Sequence, residues 1–145
     1  MAKKIEQKYI TAISIGVGML FLALFGAYYS YSELKGATIQ DAVAIIKENK
    51  NNPDFVILDV RTSGEYKLGH LPNAVSRNFY DPNFQENLKE LDSKKTYLVY
   101  CQSGFRSTRA MLIMKQEGFL KIYNMGDGFA GWEAANLPIS MAPPE

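Results

Sequence analysis

The sequence predicts an α/β fold: an open parallel sheet flanked by helices, preceded by one N-terminal transmembrane helix. Three observations carry that expectation. Short continuous apolar runs such as Phe55-Val56-Ile57-Leu58 and Tyr97-Leu98-Val99-Tyr100 read as strands buried on both faces. Segments with helical spacing alternate with them, and that order implies a parallel sheet with helices on both sides. A 23-residue stretch from Tyr9 to Tyr31 contains no charged residue at all.

As a helix, that stretch is roughly 35 Å long, enough to cross a hydrocarbon core of about 30 Å. Tyr9 lies at one end and Tyr28, Tyr29 and Tyr31 at the other, where interfacial aromatics belong. Lys3, Lys4 and Lys8 precede it and Lys35 alone follows closely, so the positive flank predicts a single pass through the cell membrane with a cytoplasmic N-terminus and an extracytoplasmic domain. The alternative is a cleaved signal peptide, with Ser30-Tyr31-Ser32 as a weak small-x-small site. The expected organisation is a cytoplasmic stub, membrane anchor (residues 9–31) and short linker over 1–36, then one domain over 37–145, whose 109 residues suffice for a core.

Within the domain, Thr38 and Asp41 resemble a capping box, and Ala42, Ile45 and Ile46 give the following helix an apolar face until Asn51-Asn52-Pro53 breaks it. The strand at Phe55–Leu58 is followed by a short helix from Ser63 to Leu68, a Gly69-His70-Leu71-Pro72 turn and a short strand at Ala74-Val75. A polar helix then carries Phe84, Leu88 and Leu91 on one face. The Thr96–Tyr100 strand leads to a helix over Ser107–Gln116 ended by Gly118, a last strand over Lys121–Asn124 and a helix near Gly128–Ala135.

Composition excludes several functions. Sixteen basic against fifteen acidic residues give a net charge of +1, without the basic excess of a nucleic-acid-binding protein. One cysteine and one histidine make neither a disulfide framework nor a standard zinc site.

That single cysteine falls where chemistry is expected. Ligands of open parallel sheets bind beyond the carboxyl ends of the strands, and Cys101 ends one. The turn Gln102-Ser103-Gly104 and the helix start at Phe105-Arg106-Ser107 can aim backbone N–H groups inward. The helix start and Arg106 favour a thiolate, and Gly104 lets the backbone turn back without a Cβ clash. The alternative is that Cys101 is a small buried hydrophobe. His70 reads as a hydrogen-bonded turn residue rather than a general base, and Trp132 as a packing aromatic.

These residues resemble a single-domain rhodanese. The resemblance rests on Leu58-Asp59-Val60-Arg61, Glu65-Tyr66, Gly69-His70-Leu71-Pro72-Asn73-Ala74, the Cys101–Ser107 loop, and Gly126-Asp127-Gly128 followed by Trp132. It implies a sulfurtransferase in which Cys101 takes a sulfane sulfur from thiosulfate, a persulfide or a polysulfide and passes it to a thiol or cyanide. It further implies that backbone N–H groups from Gln102 to Arg106 hold the persulfide, that Asp59 and Arg61 support the site, and that no metal or cofactor takes part. Related phosphatases and arsenate reductases use a loop one residue longer, so the short loop here favours sulfur transfer; a non-catalytic binding module is the other alternative. Some thiosulfate-using relatives carry basic residues after the cysteine, whereas Gln102 and Ser103 are neutral. Phe105 at the loop tip suits a less polar donor, or only packs.

Overall fold

The computed structural model describes residues 16–23 and 34–141. The chain divides into two units at the Glu33/Leu34 boundary. In the first, residues 16–23 form a helix, α1, with exposed side chains.

No helix among the described residues is long and apolar enough to cross a membrane. This corrects the expected anchor over residues 9–31, and with it the single-pass topology, the cytoplasmic N-terminus, the extracytoplasmic domain and the membrane as a partner. The expectation rested on a run without charge, which reports the polarity of side chains and does not by itself make a helix of spanning length, about 20 residues. The remainder of the expected segment, including the Ser30-Tyr31-Ser32 cleavage site, lies outside the described residues.

The second unit is the expected parallel α/β sheet. Its elements are β1 (Leu34–Ala37), α2 (Ile39–Glu48), β2 (Phe55–Asp59), α3 (Ser63–Leu68), β3 (Ala74–Ser76), α4 (Phe84–Leu88), β4 (Thr96–Tyr100), α5 (Phe105–Gln116), β5 (Lys121–Met125) and α6 (Gly128–Ala134). The five strands are all parallel, in the order β1-β5-β4-β2-β3. β4 is therefore central, and the register pairs Asp59 at the end of β2 with Tyr100 at the end of β4.

Strand alternation sorts the core into two faces. On one, Ile57, Leu98, Tyr100 and Met125 pack with Ile39, Ala42, Tyr66, Phe129 and Trp132 from α2, α3 and α6. On the other, Leu58, Tyr97, Val99, Cys101 and Ile122 pack with Phe84, Leu88, Ala110, Met111 and Met114 from α4 and α5. Each fully buried leucine, such as Leu58 or Leu98, contributes about 1.5–3 kcal/mol through water exclusion.

Two helices begin with complete capping boxes, Thr38 with Asp41 on α2 and Thr62 with Glu65 on α3. The second fixes a carboxylate at the start of α3, facing the site described next. The first three positions of β1, Leu34 to Gly36, fall in the linker expected from sequence. Leu34-Lys35-Gly36-Ala37 has little strand character of its own, and its extended form comes from pairing along β5.

Candidate active site

Cys101 follows β4 directly and is only 1% exposed. The chain turns back within three residues and enters α5 at Phe105, two residues earlier than expected, because Gly104 serves as the N-cap in left-handed conformation (φ 86°). A side chain at Gly104 would meet the carbonyl oxygen of Gly126 as well as requiring that unfavourable φ. The glycine is thus needed for close approach of two backbones.

The thiol meets two opposed influences. Burial pushes it up, while the Ser107 hydroxyl, once its proton turns to the sulfur, and the backbone N–H groups of Ser107, Ser103 and Arg106 pull it down. The hydrogen bonds win, and the thiol is held below its ordinary value of 9.0. Ser107 has one hydroxyl proton. In the structure it points to the carbonyl oxygen of Gly104 at 3.0 Å, which also accepts from Thr108 Oγ1 at 2.8 Å and Thr108 N at 3.0 Å. A carbonyl with two other donors can release the serine proton to a thiolate at little cost.

The loop is seated from below by α6. Phe129 N donates to the carbonyl of Cys101 at 2.7 Å and Ala130 N to that of Gln102 at 3.0 Å. These N–H groups belong to the first turn of α6, where no intrahelical acceptor is available.

Asp59 and Arg61 are placed beside the loop, fully buried. Arg61 Nε and Nη2 donate to the Asp59 carboxylate at 3.0 and 2.7 Å, and Nη2 also donates to the Gly69 carbonyl at 2.6 Å. The guanidinium stacks 3.9 Å from the Phe129 ring centroid and reaches Gln102 Oε1 at 3.4 Å. Burial opposes its charge, but the Asp59 partner prevails and its pKa is raised. Arg61 thus joins α6, the loop before β3 and the Cys101 loop. Tyr100 completes this cluster: its hydroxyl accepts from Leu71 N at 3.1 Å, and burial followed by the Asp59 charge raises its pKa.

Arg106 does not stand free. Nη1 and Nη2 donate to Glu65 Oε2 and Oε1 at 2.7 and 2.6 Å. Hydrogen bonds from Arg106 outweigh burial and hold the Glu65 carboxyl at about 2, below its ordinary 4.5. Phe105 is 67% exposed. His70 is buried, stacks on Tyr66 at 3.7 Å and bonds its carbonyl through Nδ1 at 2.9 Å, a turn residue remote from base chemistry. Trp132 is buried with Nε1 donating to the Pro138 carbonyl at 2.8 Å.

The structure therefore gathers Cys101 to Ser107 in one cradle, with Asp59 and Arg61 beneath it. Sequence reasoning did not identify Glu65 as the partner of Arg106, or Tyr100 and Phe129 as supports. The Thr62-x-x-Glu65 pattern did signal where that carboxylate would sit, though not what it would meet. Among the described residues no group of three or more His, Cys, Asp and Glu side chains could hold a metal ion.

A profile of the rhodanese-like domain family matches residues 42–135, more than half of the chain. The chain belongs to the rhodanese-like family. It is 30% identical over 94 residues to a thiosulfate sulfurtransferase of Pseudoalteromonas translucida, covering 65% of this chain and 88% of that protein. It is 37% identical over 90 residues to a tRNA uridine(34) hydroxylase of Cytophaga hutchinsonii, covering 59% of this chain and 28% of that protein. The chain thus spans little more than a quarter of the hydroxylase. A rhodanese-related protein of Thermoplasma volcanium superposes with a TM-score of 0.61 at 25% identity, over 74% of this chain and 99% of that one. The named curated relatives are enzymes, sulfurtransferases and hydroxylases.

Proposed function

We propose that the domain is a sulfurtransferase using Cys101 as a covalent sulfur carrier. The observation that carries this reading is the convergence of the Ser103, Arg106 and Ser107 N–H groups on one buried sulfur at the end of the central strand. Such a cradle stabilises a thiolate before the reaction and a persulfide anion after it.

The chemistry is double displacement. The Cys101 thiolate attacks the terminal sulfur of a donor R–S–SH; the donor S–S bond breaks, RS⁻ leaves with the electron pair, and Cys101 retains an S–S–H group that the cradle favours as its anion. With thiosulfate the leaving group is sulfite. An acceptor thiolate or cyanide then attacks the outer sulfur, and the Cys101 thiolate departs. Because Cys101 is 1% exposed, donors that present a slim terminal sulfur are favoured. The same enclosure and the short loop disfavour a tetrahedral phosphate or arsenate. The chain has one cysteine, so the acceptor must be a second molecule. Similarity to the thiosulfate sulfurtransferase, over most of that protein's length, supports the reading. The hydroxylase likeness extends to a fraction of those proteins and carries no reaction here.

The test is the intact mass after exposure to thiosulfate or a small persulfide. The protein should gain one sulfur atom at Cys101 and lose it to cyanide as thiocyanate. No gain with any donor overturns the reading in favour of a binding module.

A further inference from the structure

The cation nearest the sulfur in sequence is Arg106, and its guanidinium is already occupied. Both of its terminal nitrogens donate to the two oxygens of Glu65, at 2.7 and 2.6 Å. Glu65 is itself held in place: Oε2 also accepts from Thr62 N at 3.0 Å and from Thr62 Oγ1 at 2.7 Å. Swinging the carboxylate away would uncap α3. The other arginine beside the loop, Arg61, is 2% exposed and paired with Asp59. Beside the Arg106 pair stands one exposed ring, Tyr80, 64% exposed with its centroid 5.6 Å from the Arg106 guanidinium.

We infer that Glu65 sets the choice of sulfur donor: by holding Arg106 in a neutral bidentate pair beside the exposed Tyr80 ring, it favours donors with one charge or none and an organic group over the thiosulfate dianion. The inference rests on the reading of Cys101 as a sulfur carrier. Glu65 is a positioning residue, acting through Arg106. A dianion approaching a thiolate meets repulsion that the peptide N–H dipoles offset in part, and a guanidinium already bound to a carboxylate adds little net attraction. An aryl or alkyl group on the donor instead gains apolar contact with the exposed Tyr80 ring.

Thiosulfonates separate charge from sulfur chemistry. In thiosulfate the thiolate attacks the outer sulfur, the S–S bond breaks, and sulfite leaves with the electron pair. In a thiosulfonate, R–SO₂–S⁻, the same outer sulfur is attacked and the sulfinate R–SO₂⁻ leaves, with one negative charge fewer throughout. Both leave Cys101 as a persulfide.

The experiment measures kcat/KM with cyanide as acceptor for thiosulfate, methanethiosulfonate and benzenethiosulfonate, in the full chain and in Glu65→Gln. The wild type should prefer the thiosulfonates, the benzene compound most. Glu65→Gln should narrow the preference about tenfold by raising thiosulfate, the order expected from unmasking one charge close to a dianion. Thiosulfate kcat/KM should then fall with added salt in the variant but not in the wild type, a readout that a purely structural role would not move. Lys121, exposed at the amino end of β5 and so at the opposite end of the sheet from Cys101, serves as the comparison; Lys121→Gln should change the donor ratio by less than about twofold.

An unchanged ratio in a folded Glu65→Gln protein overturns the inference, as does a wild-type thiosulfate kcat/KM that falls steeply with salt. The salt series requires no variant, so it decides even if Glu65→Gln fails to fold. If neither donor class adds sulfur to Cys101, the carrier reading itself falls; if both load it and the ratio does not move, only the role of Glu65 falls.

Discussion

The α-carbon of Gly128 lies so close to the carbonyl of Gln102 that a Cβ there would stand 2.5 Å from the oxygen. The start of α6 and the Cys101 loop thus touch backbone to backbone, which is what allows Phe129 N and Ala130 N to reach the loop carbonyls. Gly128 also has φ 63°, a conformation that costs an alanine additional strain. Gly128→Ala should therefore destabilise the domain by about 2 kcal/mol or more in urea unfolding. It should also loosen the cradle, so the Cys101 thiol titrates closer to its ordinary value. Unaltered stability and thiol titration together would show that α6 does not seat the loop.

Ser107 offers a more local test of the cradle. Its hydroxyl and N–H are the first two influences that oppose burial at Cys101. Ser107→Ala removes the hydroxyl and keeps the N–H, leaving Gly104 with its two Thr108 bonds. The pH profile of Cys101 alkylation should have its midpoint below 9.0 in the wild type and move upward in the variant. The sign follows from the charge: each donor to the sulfur favours the thiolate, so losing one demands a higher pH to form it. A profile that stays put would assign the lowered value to the backbone alone.

Much of this site was legible from residues lying close together in the chain. Tyr97 to Ser107 places a strand, a nucleophile, a glycine turn and a helix start in one segment, and local rules suffice for that. The exception is the helix boundary, where Gly104 in left-handed conformation starts α5 at once and draws Phe105 and Arg106 into its first turn. What could not be read joins distant segments. Glu65 and Arg106 are 41 residues apart, and no spacing rule pairs them. Gly126-Asp127-Gly128 was recognisable as a motif, but its use as a seat for the loop depends on β5 lying beside β4. β1 was missed because edge pairing, not side-chain character, makes it a strand. The anchor expected over Tyr9 to Tyr31 rested on local composition alone, and among the described residues no helix is long and apolar enough to cross a membrane.

Arg61 and Asp59 should behave as a coupled buried pair. Both are at most 2% exposed, and both aspartate oxygens accept from Arg61 Nε. Arg61→Met leaves a buried carboxylate uncompensated, which costs about 3–5 kcal/mol. Replacing both residues, Asp59→Leu with Arg61→Met, should recover part of that loss, because the double variant no longer buries a lone charge. A double-mutant cycle in urea measures the coupling. Singles that simply add in the double variant would contradict the pairing. Sulfur loading in the double variant should still fall, since Arg61 also ties Gln102 and Gly69 together.

Acid should release the Glu65–Arg106 pair within a defined window. Hydrogen bonds from Arg106, then burial acting against them, set the Glu65 carboxyl at about 2, against 4.5 when unpaired. A carboxyl whose folded value is depressed contributes stability fully above its unfolded value and loses it as pH falls towards the folded one. The contribution of Glu65 should therefore be intact above pH 4.5 and decline between 4.5 and about 2. Its side chain is 31% exposed, so solvent screening makes the gain modest. Urea midpoints of wild type and Glu65→Gln should differ at pH 6 and converge as pH drops through this window, because the glutamine cannot titrate. Parallel curves at every pH would mean that the carboxylate charge contributes nothing to holding Arg106.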